Sequence, residues 1–183
     1  IENCIIKNNS AGQGGGMCND GTATASNPII KSCTFSQNTG GQGGGVFNYG
    51  PSGNVGGTYT NCVFDNNGTG QGSAFFNAVK NGTSTLVFTN CEFKNHSSSY
   101  NYAVDNFGEE GTTKLSFVTC TFTNNTGGAI FNNTYNSPNN NTLTLTNCTF
   151  TQNGGTNYYS PYGGAVGIYA QRGKCTPTVS GCT

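Results

Sequence analysis

Charge is what this sequence has least of. Seven Lys or Arg and seven Asp or Glu stand among 183 residues, 8% in all, against roughly a quarter in an average soluble domain. The two signs cancel. Nucleic acid and anionic membrane surfaces both call for a basic patch, so neither is an expected partner. The same neutrality excludes disorder driven by high net charge, although Gly, Asn and Thr abound. No apolar run approaches the ~20 residues that cross a bilayer, and membrane insertion is not expected. No Asp-Asp, Asp-x-Asp or C-x-x-C occurs anywhere. Those absences weigh against clustered catalytic carboxylates, calcium-binding acids and close-spaced thiolate metal sites, so neither a cofactor nor a metal is expected.

What the chain does have is a repeat. Cys4, Cys33, Cys62, Cys91 and Cys120 follow at intervals of 29 residues; Cys148 comes 28 later and Cys182 comes 34 after that. Two positions past each of the first six lies Ile6, Phe35, Phe64, Phe93, Phe122 or Phe150. Five positions past lies Asn9, Asn38, Asn67, His96, Asn125 or Asn153. Just before each cysteine lies Asn3, Ser32, Asn61, Asn90, Thr119 or Asn147. Repeats at such a period mean stacked supersecondary units.

Alternation within the unit points to strands. Leu143 and Leu145 alternate with threonines, as do Leu86 with Phe88 and Leu115 with Phe117. At the Thr-Asn step the parity switches, so that Cys and the following Phe turn inward; Asn tolerates the left-handed conformation such a corner requires. A third apolar stretch follows at "GGGVF", "GGAIF" and "GGAVG". Three short strands per ~29 residues make one coil of a parallel β-helix. The predicted fold is therefore all-β: one domain over residues 1–183, a single-stranded right-handed parallel β-helix of about six coils. One coil cannot bury its own apolar face. Stacked coils bury Cys, Phe, Leu and Val as columns and let asparagines hydrogen-bond along ladders. The seven column cysteines are expected as buried, mostly reduced thiols, because stacked strands stand slightly too far apart for a relaxed disulfide, with pairwise bonds between neighbouring coils as the alternative. Cys18 and Cys175 lie outside the column and are the better candidates for a disulfide or a reactive thiol.

"FxxN" followed by "GGA[ILV]" resembles the repeats of the chlamydial polymorphic outer-membrane proteins and related β-helix surface proteins. The matching positions are Phe35–Asn38 with Gly44–Val46, Phe122–Asn125 with Gly127–Ile130, and Phe150–Asn153 with Gly163–Val166. The coil of Phe64 departs at "GSAF" and that of Phe93 at "FKNH" and "NYAV". The resemblance implies the fold, and an extracellular or cell-surface, adhesive or structural role.

Residues that carry chemistry are scattered. Asp65, Glu92 and Lys94 fall near one another on adjacent coils and are read as a solvated surface group rather than a catalytic one. His96 is read as a ladder substitution for Asn, and Asp105 as a substitution in an aromatic column. A hydrolase triad would need a nucleophile beside them, and a zinc site further ligands. Eight Asn-x-Ser/Thr sequons occur. Asn8, Asn95, Asn124, Asn81 and Asn140 are the glycosylation candidates, whereas Asn67 and Asn147 belong to ladders and should be hindered. Threonine arrays raise an ice-binding solenoid, but the outward positions Lys31 and Lys114 interrupt any regular grid. Long loops place Tyr100, Tyr102, Tyr158, Tyr159 and Tyr162 in equivalent positions two coils apart. They form a candidate binding face for glycans or protein, unless they simply shield the sheet edge.

The functional expectation is a non-enzymatic, extracellular structural or adhesive element. Its partners are copies of itself or neighbouring coils, and glycans or a host or cell surface. A glycan-binding module and a polysaccharide-cleaving enzyme are the alternatives. Opening at "IENC" and stopping at "SGCT", the chain is read as part of a longer solenoid or as a filament subunit. A coil edge left open would pair with another.

Overall fold

The computed structural model describes residues 1–97, 102–136, 140–154 and 163–183. Of the tyrosines set out above, Tyr100, Tyr158, Tyr159 and Tyr162 lie outside the described residues. Every strand pairs in parallel with its counterpart one coil away, giving a β-solenoid of about five turns. The first sheet stacks Ile5–Lys7, Thr34–Ser36, Val63–Asp65, Glu92–Lys94, Thr121–Thr123 and Thr149–Thr151. Another stacks Met17–Asp20, Val46–Pro51, Phe75–Lys80, Val104–Glu109, Ile130–Tyr135 and Val166–Gln171. The longest strands are those of the Leu/Phe alternation: Asn54–Thr60, Thr83–Thr89, Thr112–Val118, Asn140–Thr146 and Lys174–Ser180.

The sequence predicts three strands per coil, and the first three coils have a further one. Ser10–Gln13, Thr39–Gln42 and Gly68–Gln71 form a three-stranded sheet of their own. "SAGQ", "TGGQ" and "GTGQ" have no apolar alternation to announce a strand. Their pairing comes from the coils above and below.

The corners explain the polar composition. Asn3, Ser32, Asn61, Asn90, Thr119 and Asn147 all have φ between 49° and 55°. This is the left-handed region in which Asn is the least strained side chain. A second left-handed corner falls at Asn8, Gln37, Asn66, Asn95, Asn124 and Gln152. Where the three-stranded sheet bends into the next one, Gly14, Gly43 and Gly72 turn at φ 58–62°. A Cβ on Gly43 would stand 2.2 Å from the Val46 carbonyl oxygen, so only glycine fits.

Inside, like residues stack on like. Phe35, Phe64, Phe93, Phe122 and Phe150 form one aromatic column with centroid separations of 4.8–5.1 Å and planes within 6°. Tyr59, Phe88 and Phe117 form another, edge-on to the first. Cys33, Cys62, Cys91, Cys120 and Cys148 are buried beside them. Cys4 and Cys182, at the two ends, are only partly buried. Two asparagine ladders run through the interior as well. One is the predicted column. The other, Asn19–Asn48–Asn77–Asn106–Asn132, carries amide-to-amide bonds of 2.5–2.6 Å.

Candidate binding face and end faces

His96 takes the place of Asn in the first ladder with little change of bonding. In the other coils the Asn amide donates to the carbonyl of the Phe one coil back: Asn67 to Phe35 at 2.8 Å, Asn125 to Phe93 at 3.1 Å. His96 Nε2 stands 3.1 Å from the Phe64 carbonyl, and Nδ1 accepts from the Asn67 N–H at 3.2 Å. Nδ1 also stands 2.9 Å from the Asn67 carbonyl, and burial lowers the imidazole pKa to about 4. Asp105 lies on the opposite, outward side of its strand, in register with Phe76 and Phe131. Burial raises its carboxyl pKa to about 7.

Four of the remaining six acids are engaged locally. Glu92 pairs with Lys94 at 2.6 Å, and Asp65 accepts from the Asn95 amide at 2.8 Å. Glu109 pairs with Lys80 at 3.0 Å, and Asp20 accepts from the Thr22 N–H at 2.8 Å. Among the described residues, no group of three or more His, Cys, Asp and Glu is placed to hold a metal ion.

All nine cysteines are free. Column thiols donate to main-chain carbonyls, as Cys33 does to Lys31 at 3.1 Å and Cys91 to Tyr59 at 3.4 Å. Of the two outside the column, Cys18 is exposed and Cys175 accepts from the Asn132 amide at 2.9 Å. Burial pushes both thiols above their ordinary pKa, so neither has the depressed pKa of an activated thiolate.

The sequons separate by burial. Asn67 and Asn132 are 1% and 0% exposed, with their amides committed to the interior. Asn8, Asn81, Asn95, Asn124 and also Asn147 are exposed at left-handed corners. Asn147 is thus a solvent-facing corner residue rather than a hindered one. Asn124 donates to Asn95 at 3.1 Å, so these two form an exposed amide ladder with Asp65. The Asn140 side chain is outside the described residues. Tyr102, the one described member of the tyrosine group, is 4% exposed and stacks on Phe131 at 5.1 Å. Its ring is used in packing.

Sequence reasoning missed the outer side of the Val46–Pro51 sheet. Alternation sends Val46, Asn48 and Gly50 inward and Phe47 and Tyr49 outward. The outward residues make two columns. One is Cys18–Phe47–Phe76–Asp105–Phe131 and the other Asp20–Tyr49–Ala78–Phe107–Asn133. Phe47 stacks on Phe76 at 5.7 Å and under Tyr49 at 5.5 Å. Across the glycine corner, Gln13, Gln42 and Gln71 form an exposed amide ladder with bonds of 2.8 and 3.0 Å. Between the two runs a pocket of about 380 Å³. The signal available was the doublet "VF…FF" read at period two, with its second member facing out.

The two end coils carry matching ends of the same columns. Ile30–Tyr59–Phe88–Phe117–Leu145–Val179 is one continuous register. The Glu2–Lys31 bridge sets Ile1 beneath Ile30. Ile1 is 56% and Val179 60% exposed, although every residue between them is buried. Cys4, Ile6 and Met17 at one end, and Cys182, Phe150 and Val166 at the other, are likewise only partly buried.

Together these features define a parallel β-solenoid with outward aromatic columns on one sheet and partly exposed residues at both ends of its apolar columns. Comparison with protein-family models, with curated proteins and with solved structures finds no match.

Proposed function

We propose that this chain is a non-catalytic, extracellular or cell-surface structural element whose end coils stack edge to edge with those of a second copy. The observation that supports this most is the pairing of ends. The coil at Ile1, Cys4, Ile6 and Met17 presents the lower members of the same apolar columns whose upper members are Val179, Cys182, Phe150 and Val166. An edge-to-edge stack would bury all eight and pair the strand edges, which are otherwise free to associate. Such a head-to-tail contact uses two different surfaces and therefore propagates. The likeness of the FxxN and GGA[ILV] repeats to the chlamydial polymorphic outer-membrane proteins supports the surface location. Tyr49, exposed on the outward side of its sheet, is where an adhesive contact would form. The local engagement of Asp20, Asp65, Glu92 and Glu109 at separate places supports a non-catalytic role.

Sedimentation across a concentration series tests the stacking. The unaltered chain should move from a 19.0 kDa species to larger end-to-end species. Val179→Lys places a charge on one end face and should hold it at the smallest species without lowering the melting temperature. An unaltered chain that stays a single 19.0 kDa particle at every concentration overturns self-stacking.

A further inference from the structure

We infer that the outer pocket beside Ala78 is a binding site for a small neutral ligand built on one planar aromatic ring. The basis is a gap in a ladder. Within the solenoid, rings on neighbouring strands stack 4.8–5.1 Å apart. In the outward column the order is Tyr49, Ala78, Phe107, on three successive strands in register. Alanine therefore stands where a ring would complete the stack. The two aromatic positions flanking it are two strand spacings, or ~9.6 Å, apart. A planar ring seated between them would have one neighbour on each side at about the separation the internal stacks show. Offset stacking of this kind contributes beyond the area it buries.

The walls define the rest of the ligand. The pocket holds about 380 Å³, toward the small end of the range for small-molecule sites. Phe47 and Phe76 back it. Gln42 and Gln71 form one side; Gln42 accepts from Gln13 and donates to Gln71, and Gln71 accepts from Gln42. A primary amide has two of each, so the ladder leaves capacity for a ligand hydroxyl. Lys80 and Glu109 also line the pocket and neutralise one another at 3.0 Å, which removes any preference for a charged ligand. Tyr49 is 38% exposed, so that entry is open on its side. The ligand is thus a phenol-like ring: flat, uncharged and bearing a small hydrogen-bonding substituent. The site is independent of the end faces and does not rest on the stacking proposal.

Titration with 4-methylphenol, followed through the side-chain amide resonances of Gln42 and Gln71, tests this. A saturable shift with a Kd on the order of 1 mM is expected for so small a probe. 4-Methylcyclohexanol has the same substituents without the flat ring and should bind at least tenfold more weakly, as should methyl β-glucoside. Ala78→Phe completes the ladder and should abolish the shift while leaving the melting temperature unchanged or raised. Tyr49→Ala removes one flanking ring and should weaken binding about tenfold. Equal binding of the saturated ring, tighter binding of the glucoside, no saturable shift at 20-fold above the expected Kd, or undiminished binding to folded Ala78→Phe would each overturn the assignment.

Discussion

At the scale of single residues, the core columns make unequal demands. Phe122 lies between Phe93 at 4.8 Å and Phe150 at 4.9 Å. Phe122→Ala should cost about 3–5 kcal/mol in chemical denaturation, since the flanking rings cannot close the hole. Thr123→Ala, on the outward side, should change stability by less than ~0.5 kcal/mol. Tyr59 occupies the same kind of position as Phe88, yet its hydroxyl is fully buried and finds no partner among the described residues. Tyr59→Phe should therefore stabilise the protein by about 1 kcal/mol, read as a rise in denaturation midpoint. His96 and Asp105 make opposed contributions to pH dependence. The imidazole pKa falls from 6.5 to about 4 on folding, so the unfolded chain binds more protons in that window and stability falls as pH falls. The Asp105 carboxyl rises from 3.8 to about 7, so the folded chain binds more protons and stability falls as pH rises. Each is worth on the order of 3 kcal/mol across its window, and between pH 4 and 6.5 they oppose. His96→Asn should leave a stability that declines steadily from pH 4 to 7. Asp105→Asn should leave one that climbs from pH 4 to 6.5. Denaturation midpoints measured through that range check both signs, and parallel profiles for the two variants would contradict the assignment.

Among the elements, the corners carry the most local information. Five members of the first corner column besides Thr119 are Asn or Ser, and Thr119 takes the same left-handed φ of 54° with a β-branched side chain. That conformation is strained for a branched Cβ. Thr119→Asn should raise stability by about 1 kcal/mol, and Asn90→Thr should lower it by a similar amount. Thermal melts of the two single variants decide it; a change of the same sign in both would show that something other than the corner governs these positions. The interior asparagines act through ladders rather than through φ. Asn48, Asn77 and Asn106 are wholly buried, and each amide donates to the Asn one coil on. Those positions look like loop residues in the sequence because nothing local distinguishes a buried Asn ladder from a solvated Asn-rich turn.

For the whole molecule, one repeat is the natural unit of change. Each coil contacts only the coils above and below, so stability is close to a sum over coils and interfaces. Deleting residues 62–90 joins Asn61 to Cys91 and removes one full period of 29 residues. The product should fold with unchanged circular dichroism per residue and a lower melting temperature. Deleting 62–75 instead brings unlike strands into register, sends apolar side chains outward and should leave no cooperative transition. If both deletions melt alike, nearest-neighbour stacking does not hold this chain together.

The 29-residue cysteine ruler and the Phe two positions on were enough to establish a β-solenoid, because a parallel stack sets identical residues above one another and writes its period into the chain. The parity switch at the Thr-Asn corner was legible for the same reason, since left-handed φ restricts which side chains sit there. What only the tertiary structure decided is everything that depends on neighbours from other coils. Ser10–Gln13 and its counterparts become strands only by pairing with one another. His96 is held neutral by burial between coils, with its ring nitrogens against the Phe64 carbonyl and the Asn67 backbone of the preceding coil. Ala78 becomes the floor of a slot only when Tyr49 and Phe107 arrive on either side of it. Period and corner chemistry are local, and survive in one dimension. A gap in a ladder exists only between coils, and forms when the chain has wound three times past the same place.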